Sequence, residues 1–447
     1  MRSRDFETLL AGAVLALLMS GGCTQPVEFG YCSAKSTEEP EEEVAQSPTW
    51  HADVRPIVEG RCQRCHRPGD IAPFPLTSYS EVFAQRALVR DAVVNGRMPP
   101  WMPAHCCNEF QDDFSLNATQ IETIDRWVEQ GAPEGDPSNY DGAVDGVGGL
   151  SRVDVTVEMD EGYTPEPEKG RVDDFRCFVL DWPLKKDKFI AGMNPLPGAR
   201  EIVHHLIVAV ASGSDVNSVT NIESPDGKPG FPCEGGFGDV EISTIIGGGL
   251  HGADYPGNLG RKIPADSKIV LQIHYSMANS EAVEDKTGIE FRLEDEADDF
   301  QTIPIANPAW LMGDGMRIPA GAKNKSYSYQ FDPRLYTGNG PVKLWGATPH
   351  MHYFGQKFII GIVRDNGQRD CVLEIPRWDF GWEQPYWFKQ PIRLNPGDEL
   401  YMECQFNNTR EKQPIVDGKH QKPRDIAWGT DNQDMCAGFV QFTKIDE

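Results

Sequence analysis

The chain is short of positive charge, with 42 Lys and Arg against 68 Asp and Glu and a formal net charge of −26. Phosphate backbones and anionic lipid surfaces are held by clustered Lys and Arg, so neither nucleic acid nor an anionic membrane surface is expected as a partner. Long apolar runs are missing too. The most extended one, Leu9 to Met19, is too short to span a bilayer. Beyond residue 150 no long helical periodicity competes with short alternating segments. No sequence repeat relates the two halves of that region.

At roughly 150 residues per domain, 447 residues allow about three domains. With 39% hydrophobic and 10% aromatic residues, sizeable cores are available. Residues 1–22 read as an export signal: Arg2 and Arg4, then the apolar run, then Ser20-Gly21-Gly22 before Cys23. The segment resembles a bacterial lipoprotein signal, although Ser20 stands where that pattern usually has Leu. The resemblance implies a lipid anchor at Cys23, the expected membrane attachment, and a periplasmic or outer-membrane location. Residues 23–48 form an acidic linker.

Residues 49–138 read as helical. Ile121, Ile124, Trp127 and Val128 recur at helical spacing behind a candidate N-cap at Asn117, with Gly131 as a stop, and Ser78 to Asn95 is a second helical stretch. Cys62-Gln63-Arg64-Cys65-His66 is a C-x-x-C-H run. Such a run binds haem covalently through both thiols and ligates its iron through the His; the alternatives are a CxxC disulfide or half a zinc site. The segment resembles a c-type cytochrome domain, small and all-α. The resemblance implies haem c on Cys62, Cys65 and His66. It also implies a sixth ligand from Arg97-Met98-Pro99-Pro100-Trp101-Met102, for which Met98 is preferred and Met102 and His105 remain alternatives. His51 reads as a surface or packing residue.

Residues 139–150 are a Gly-rich linker. Ile202 to Val210, Lys268 to Tyr275, Lys357 to Val363 and Leu400 to Phe406 then mark an all-β region. Its length favours two bodies, 151–300 and 301–447. Five of the ten His fall there in three settings: His204-His205, His274 in LQIHY, and His350-Met351-His352. Imidazole suits several transition metals, so the His do not name the ion. On a strand His350 and His352 share a face. Adjacent His204 and His205 share an ion only at a strand end or bulge, or through different ring nitrogens.

The order HH, LQIHY, HxH and late Met-Cys resembles the ascorbate-dependent type II copper monooxygenases, the family of peptidylglycine and dopamine β-monooxygenases. The resemblance implies two jelly-roll sandwiches facing a solvent-filled cleft, each with one of two copper ions. It assigns His204, His205 and His274 to an electron-transfer copper. It assigns His350, His352 and Met435 to the copper where O2 is used to hydroxylate a C–H bond of a small organic substrate. Met402 and Met277 read as packing. Disulfides Cys177–Cys233 and Cys404–Cys436 are implied as well, and Cys32, Cys106, Cys107 and Cys371 stay unassigned. Peptide-amidating members carry an Arg at the position of Thr348 and substrate-binding Asn and Tyr at those of Ala437 and Phe439, so a C-terminal glycine substrate is not expected; Phe439, Tyr353 and Phe354 read as packing residues that would also suit a less polar molecule. An external electron donor is required, and the haem is expected to pass electrons to the first copper. The alternative is a non-catalytic haem and copper electron-transfer or copper-binding protein.

Overall fold

The computed structural model describes residues 45, 47–140, 142, 149–167, 172–222, 224–233, 242–246, 252–277, 280–310, 315–416, 419–429 and 433–445. The signal-like segment 1–22, Cys23 and Cys32 lie outside the described residues. Most of the structure is β-sheet, with a few helices near the start. Among the described residues no helix is long and apolar enough to cross a membrane.

Three short helical stretches, Trp50–Val54, Arg55–Ile57 and Val58–Cys62, run on from one another and end in the C-x-x-C-H run. Helices Tyr79–Val94 and Ala118–Glu129 follow. Each begins with a reciprocal capping box, Ser78 with Glu81 and Asn117 with Gln120, which satisfies N–H groups that the first turn leaves unpaired. Gly131 has φ +90°, a conformation that stops the second helix. Trp50, Val58, Val82, Ile124 and Trp127 form the small core between these helices. Each large apolar side chain buried there contributes about 1.5–3 kcal/mol. His51 is buried among them.

Two β bodies follow. In the first, strands Phe231–Pro232, Asp173–Asp181, Lys268–Ser276, Val203–Ala211 and Ile242–Ile246 form one sheet in that order. The opposing six-stranded sheet contains Val155–Glu158, Gly288–Glu294, Lys188–Leu196 and Leu259–Ile263. Phe178, Leu206 and Ile273 from the one meet Val157, Ile190 and Phe291 from the other, so the apolar faces close on each other. In the second body, Gln301–Ile305, Ala437–Lys444, Val342–His350 and Tyr386–Leu394 form a sheet in that order. It covers a sheet of Lys325–Phe331, Glu399–Phe406, Gly355–Val363 and Arg369–Ile375. Met402 is buried in the core between them, as the packing reading expects.

Aromatic packing joins the two β bodies, and the helical segment is tied to the second. Trp387 packs on Tyr255 and Phe300, with ring centroids 5.1 and 5.5 Å apart. The stretch from Trp101 to Phe114 leaves the helical core and is built into the second β body. There Ala104 N donates to Glu374 O (2.8 Å), Gln111 N donates to Trp387 O (2.7 Å), and Phe110 enters the apolar core. A disulfide between Cys107 and Cys371, their Cα atoms 5.3 Å apart, fastens this stretch. Cys106 is disulfide-bonded as well, so the vicinal cysteines do not pair with each other. Cys177–Cys233 and Cys404–Cys436 are both present.

Candidate metal centres

Strand Val203–Ala211 runs antiparallel to Lys268–Ser276, and the register sets His205 directly opposite His274. A register shift between Val203 and His205 breaks the alternation at His204. That irregularity brings two consecutive imidazoles to one place, which a regular strand forbids. Nδ1 of His205 lies 3.4 Å from Nδ1 of both His204 and His274. One ring nitrogen from each of the three falls within 4.8 Å of the others. The outer nitrogen of His274, Nε2, is 3.0 Å from Asp173 Oδ1, which leaves Nδ1 for the cluster. Burial, with repulsion from His274, holds His204 down to about 3, and burial pushes His205 well below its usual range. All three donors suit a single ion, because imidazoles with converging nitrogens are what a transition metal binds.

His350 is the last residue of its strand and pairs with Ala437. His352 lies beyond the strand, so the shared-face expectation for His350 and His352 does not describe how they meet. The chain turns there because Asp434 captures its backbone. Asp434 Oδ1 accepts from His352 N and Met435 N, and Oδ2 accepts from Phe354 N, all at 2.8 Å. The rings of His350 and His352 stand 5.0 Å apart and nearly perpendicular. Asp434 is fully buried. Burial pushes its carboxyl up to about 7, against the pull of those three N–H groups. The Cys404–Cys436 disulfide pins the residue after Met435, so this loop is held from both sides.

Each imidazole of the pair has one nitrogen already engaged. His350 Nδ1 is 2.7 Å from Glu383 Oε1, a carboxylate only 3% exposed. Burial alone would lower His350, but the charge and hydrogen bond of Glu383 raise it above its usual range. His352 Nδ1 is 3.3 Å from Gln433 O, and burial with repulsion from His350 holds that ring down to about 3. Nε2 of both rings is left for an ion, and the Met435 thioether is the soft donor that Cu(I) would prefer were it to join them.

Phe380 lies between the two groups, its ring centroid 6.0 Å from that of His274 and 5.7 Å from that of His352. Phe380 is itself half-buried, so an aromatic side chain stands between the groups without closing them off from solvent. Thr348 is buried and accepts from Gln441 Nε2 (3.3 Å), Ala437 and Phe354 are buried, and Phe439 is half-buried, whereas Tyr353 is 43% exposed. Met277 packs at the edge of the first body's core.

Around the C-x-x-C-H run, Cys62 and Cys65 are the free cysteines among the described residues, and both are half-buried. His66 Nδ1 lies 2.9 Å from Phe74 O, which orients the ring and leaves Nε2 for an axial bond. Burial holds His66 below its usual range, in the neutral form that ligates. Two free thiols and one oriented neutral imidazole suit covalent haem. Met102 is buried in the second β body, where its Sδ accepts from Asp379 N (3.2 Å). His105 is paired with Asp113 at 3.5 Å. Met98 is 39% exposed and is the thioether of this loop not drawn into that core. Arg200, four residues before His204, reaches Asp70 at 3.5 Å.

Asp173, Glu383, Asp434 and Phe380 escaped sequence reasoning. Asp434 had one signal, its place in the acidic-Met-Cys run; the others had none, since their partners lie 28 to 106 positions away.

Residues 311–444 match the family model of the copper type II ascorbate-dependent monooxygenase, C-terminal domain. Tyramine beta-hydroxylase of Caenorhabditis briggsae is 22% identical over 70% of this chain and 52% of its own length. Putative DBH-like monooxygenase protein 2 of Homo sapiens is 24% identical over 52% of this chain and 48% of its own. The chain therefore spans about half the length of these curated relatives. Among solved structures, the major capsid protein P2 from Bacteriophage PM2 aligns over 66% of this chain and 98% of its own at 8% identity and a TM-score of 0.24, too remote to bear on fold or function. Residues 311–444 are thus similar to the C-terminal domain of the copper type II ascorbate-dependent monooxygenases, and the two relatives extend a weak similarity over more of the chain.

Proposed function

We propose that the chain is a copper-dependent monooxygenase that uses O2 to hydroxylate a C–H bond of a small organic substrate. The observation that carries this reading is the fastening of His352 and Met435 to one buried carboxylate, Asp434, beside His350 and within the family-matched domain. His204, His205 and His274 would hold one copper, and His350, His352 and Met435 the other. When bound, copper supplies one-electron redox chemistry and the activation of oxygen that side chains lack.

The protein's own residues do the positioning. Asp173, Glu383 and Gln433 each engage one nitrogen of a ligand imidazole and so fix which nitrogen faces inward. Asp434 holds the Met435 loop without adding a ligand. The buried Thr348 offers no bidentate cation for a peptide carboxylate, which supports a substrate other than a C-terminal glycine. The disulfides support an exported chain in an oxidising compartment such as the periplasm, with lipidation at Cys23 as its anchor. The test is oxygen uptake by copper-loaded protein given ascorbate and a pool of small metabolites. A product one oxygen heavier than its precursor is expected, and none from copper-free protein. Copper-loaded protein that consumes no oxygen with any of the pool rejects the reading.

We infer further that Cys62, Cys65, His66 and Met98 carry haem c and that this haem is the immediate electron donor. In support, the Asp70–Arg200 ion pair ties the loop after the haem motif to the turn that leads into His204. Arg200→Asp is expected to slow copper reduction by the haem several-fold in stopped-flow absorbance, with haem content unchanged. Adding Asp70→Arg should restore the rate. A wild-type rate in the single variant rejects the docking role, and protein without covalent haem rejects the donor itself.

A further inference from the structure

The segment Trp378 to Glu383 (WDFGWE) runs between the two histidine groups and is held along its length. Trp378 N donates to Gln356 O (2.9 Å), and its Nε1 donates to His352 O (3.0 Å). Asp379 N donates to Met102 Sδ (3.2 Å), while Asp379 Oδ1 and O accept from Gly381 N (2.9 Å) and Trp382 N (3.0 Å), closing a tight turn. Glu383 engages His350. At Gly381 an added Cβ would stand 3.4 Å from His204 Nε2 and 3.2 Å from Asp379 Oδ1, so this position has little room for a side chain. Six consecutive residues thereby approach four of the five site histidines.

The side chain this turn presents between the groups is Phe380. Its ring faces His274 at 6.0 Å with the planes inclined by 35°, and faces His352 at 5.7 Å and 64°. A Phe ring has two rotatable bonds and no polar atom. The ring is half-buried and held by a turn anchored on both sides, so it displaces water from the space it fills.

We propose that Phe380 is the partition between the two metal sites. It sets their separation and limits the water directly between them, so that electrons pass from one site to the other across one half-buried ring. This role rests on the two-copper reading above and goes beyond it by assigning a positioning residue that is no ligand.

The test uses full-length protein loaded with Cu(II). Metal analysis counts the ions, and pulsed EPR reads the copper–copper distance and, in deuterated buffer, the deuterium modulation from nearby water. The wild type is expected to bind two ions, with one narrow distance and weak modulation. Phe380→Ala should still bind two, but with a broadened distance distribution and stronger modulation at the first site. Phe380→Leu, which keeps most of the bulk and serves if the alanine variant misfolds, should keep the weak modulation and broaden the distance. Variants with two ions and wild-type distance and modulation overturn the partition, as does loss of either ion, which would make Phe380 a support for the ligands instead. A wild type that binds no copper defeats the two-copper reading itself and is distinguishable from both.

Discussion

On the two-copper reading, Met435→Ala is expected to bring oxygen uptake down to that of copper-free protein while His204, His205 and His274 keep their ion. Three features make the effect local. The backbone N–H of residue 435 still reaches Asp434, the Cys404–Cys436 disulfide still pins the next residue, and the lost side chain is only half-buried. What disappears is the thioether proposed as the soft ligand, and with it the preference for Cu(I), the state that meets oxygen. Metal analysis under a competing chelator should fall from two ions to one. Oxygen uptake by this variant at the wild-type rate would remove Met435 from the site.

Asp434→Ala should act on stability as strongly as on the site. The substitution leaves three backbone N–H groups, of His352, Phe354 and Met435, without their acceptor in a fully buried position. Each unsatisfied buried donor costs about 1–3 kcal/mol. The total is at least about 3 kcal/mol, a large part of the 5–15 kcal/mol that holds a typical domain. At about 2–4 °C per kcal/mol, the Tm of the second β body is expected to drop by about 6–12 °C in calorimetry. The second copper should be lost before the first. Asp434→Asn keeps one acceptor oxygen and should fall between. An alanine variant melting within about 2 °C of the wild type would show that water or a rearranged loop satisfies those groups and that Asp434 is no anchor.

How much of this was legible in the sequence differs from element to element. The helices Tyr79–Val94 and Ala118–Glu129 were, because capping is local: Ser78 and Glu81, or Asn117 and Gln120, satisfy each other's backbone within one turn. Strands such as Lys268–Ser276 were legible from their short apolar runs between turn residues. The condition on His204 and His205 was legible too, since two adjacent imidazoles on one ion demand a break in strand alternation, and the register shift at that point supplies it. His352 was read too regularly. Spacing alone placed it on a strand, whereas a carboxylate 82 positions later draws the chain into a turn.

The sequence by itself determined the donor inventory: which residues carry imidazole, thioether and thiol, and which of them are neighbours in the chain. Tertiary structure decided which donors meet and what stands around them. It set His205 opposite His274 by strand register, joined Cys107 to Cys371, drew Met102 into the second β body and left Met98 outside it. It also placed Glu383 on His350 and Phe380 between the two sites. The physical reason is range. Caps, turns and alternation are settled by neighbours a few bonds away, whereas a buried carboxylate or an aromatic wedge is chosen by the packing of a whole domain, and no local pattern encodes its partner.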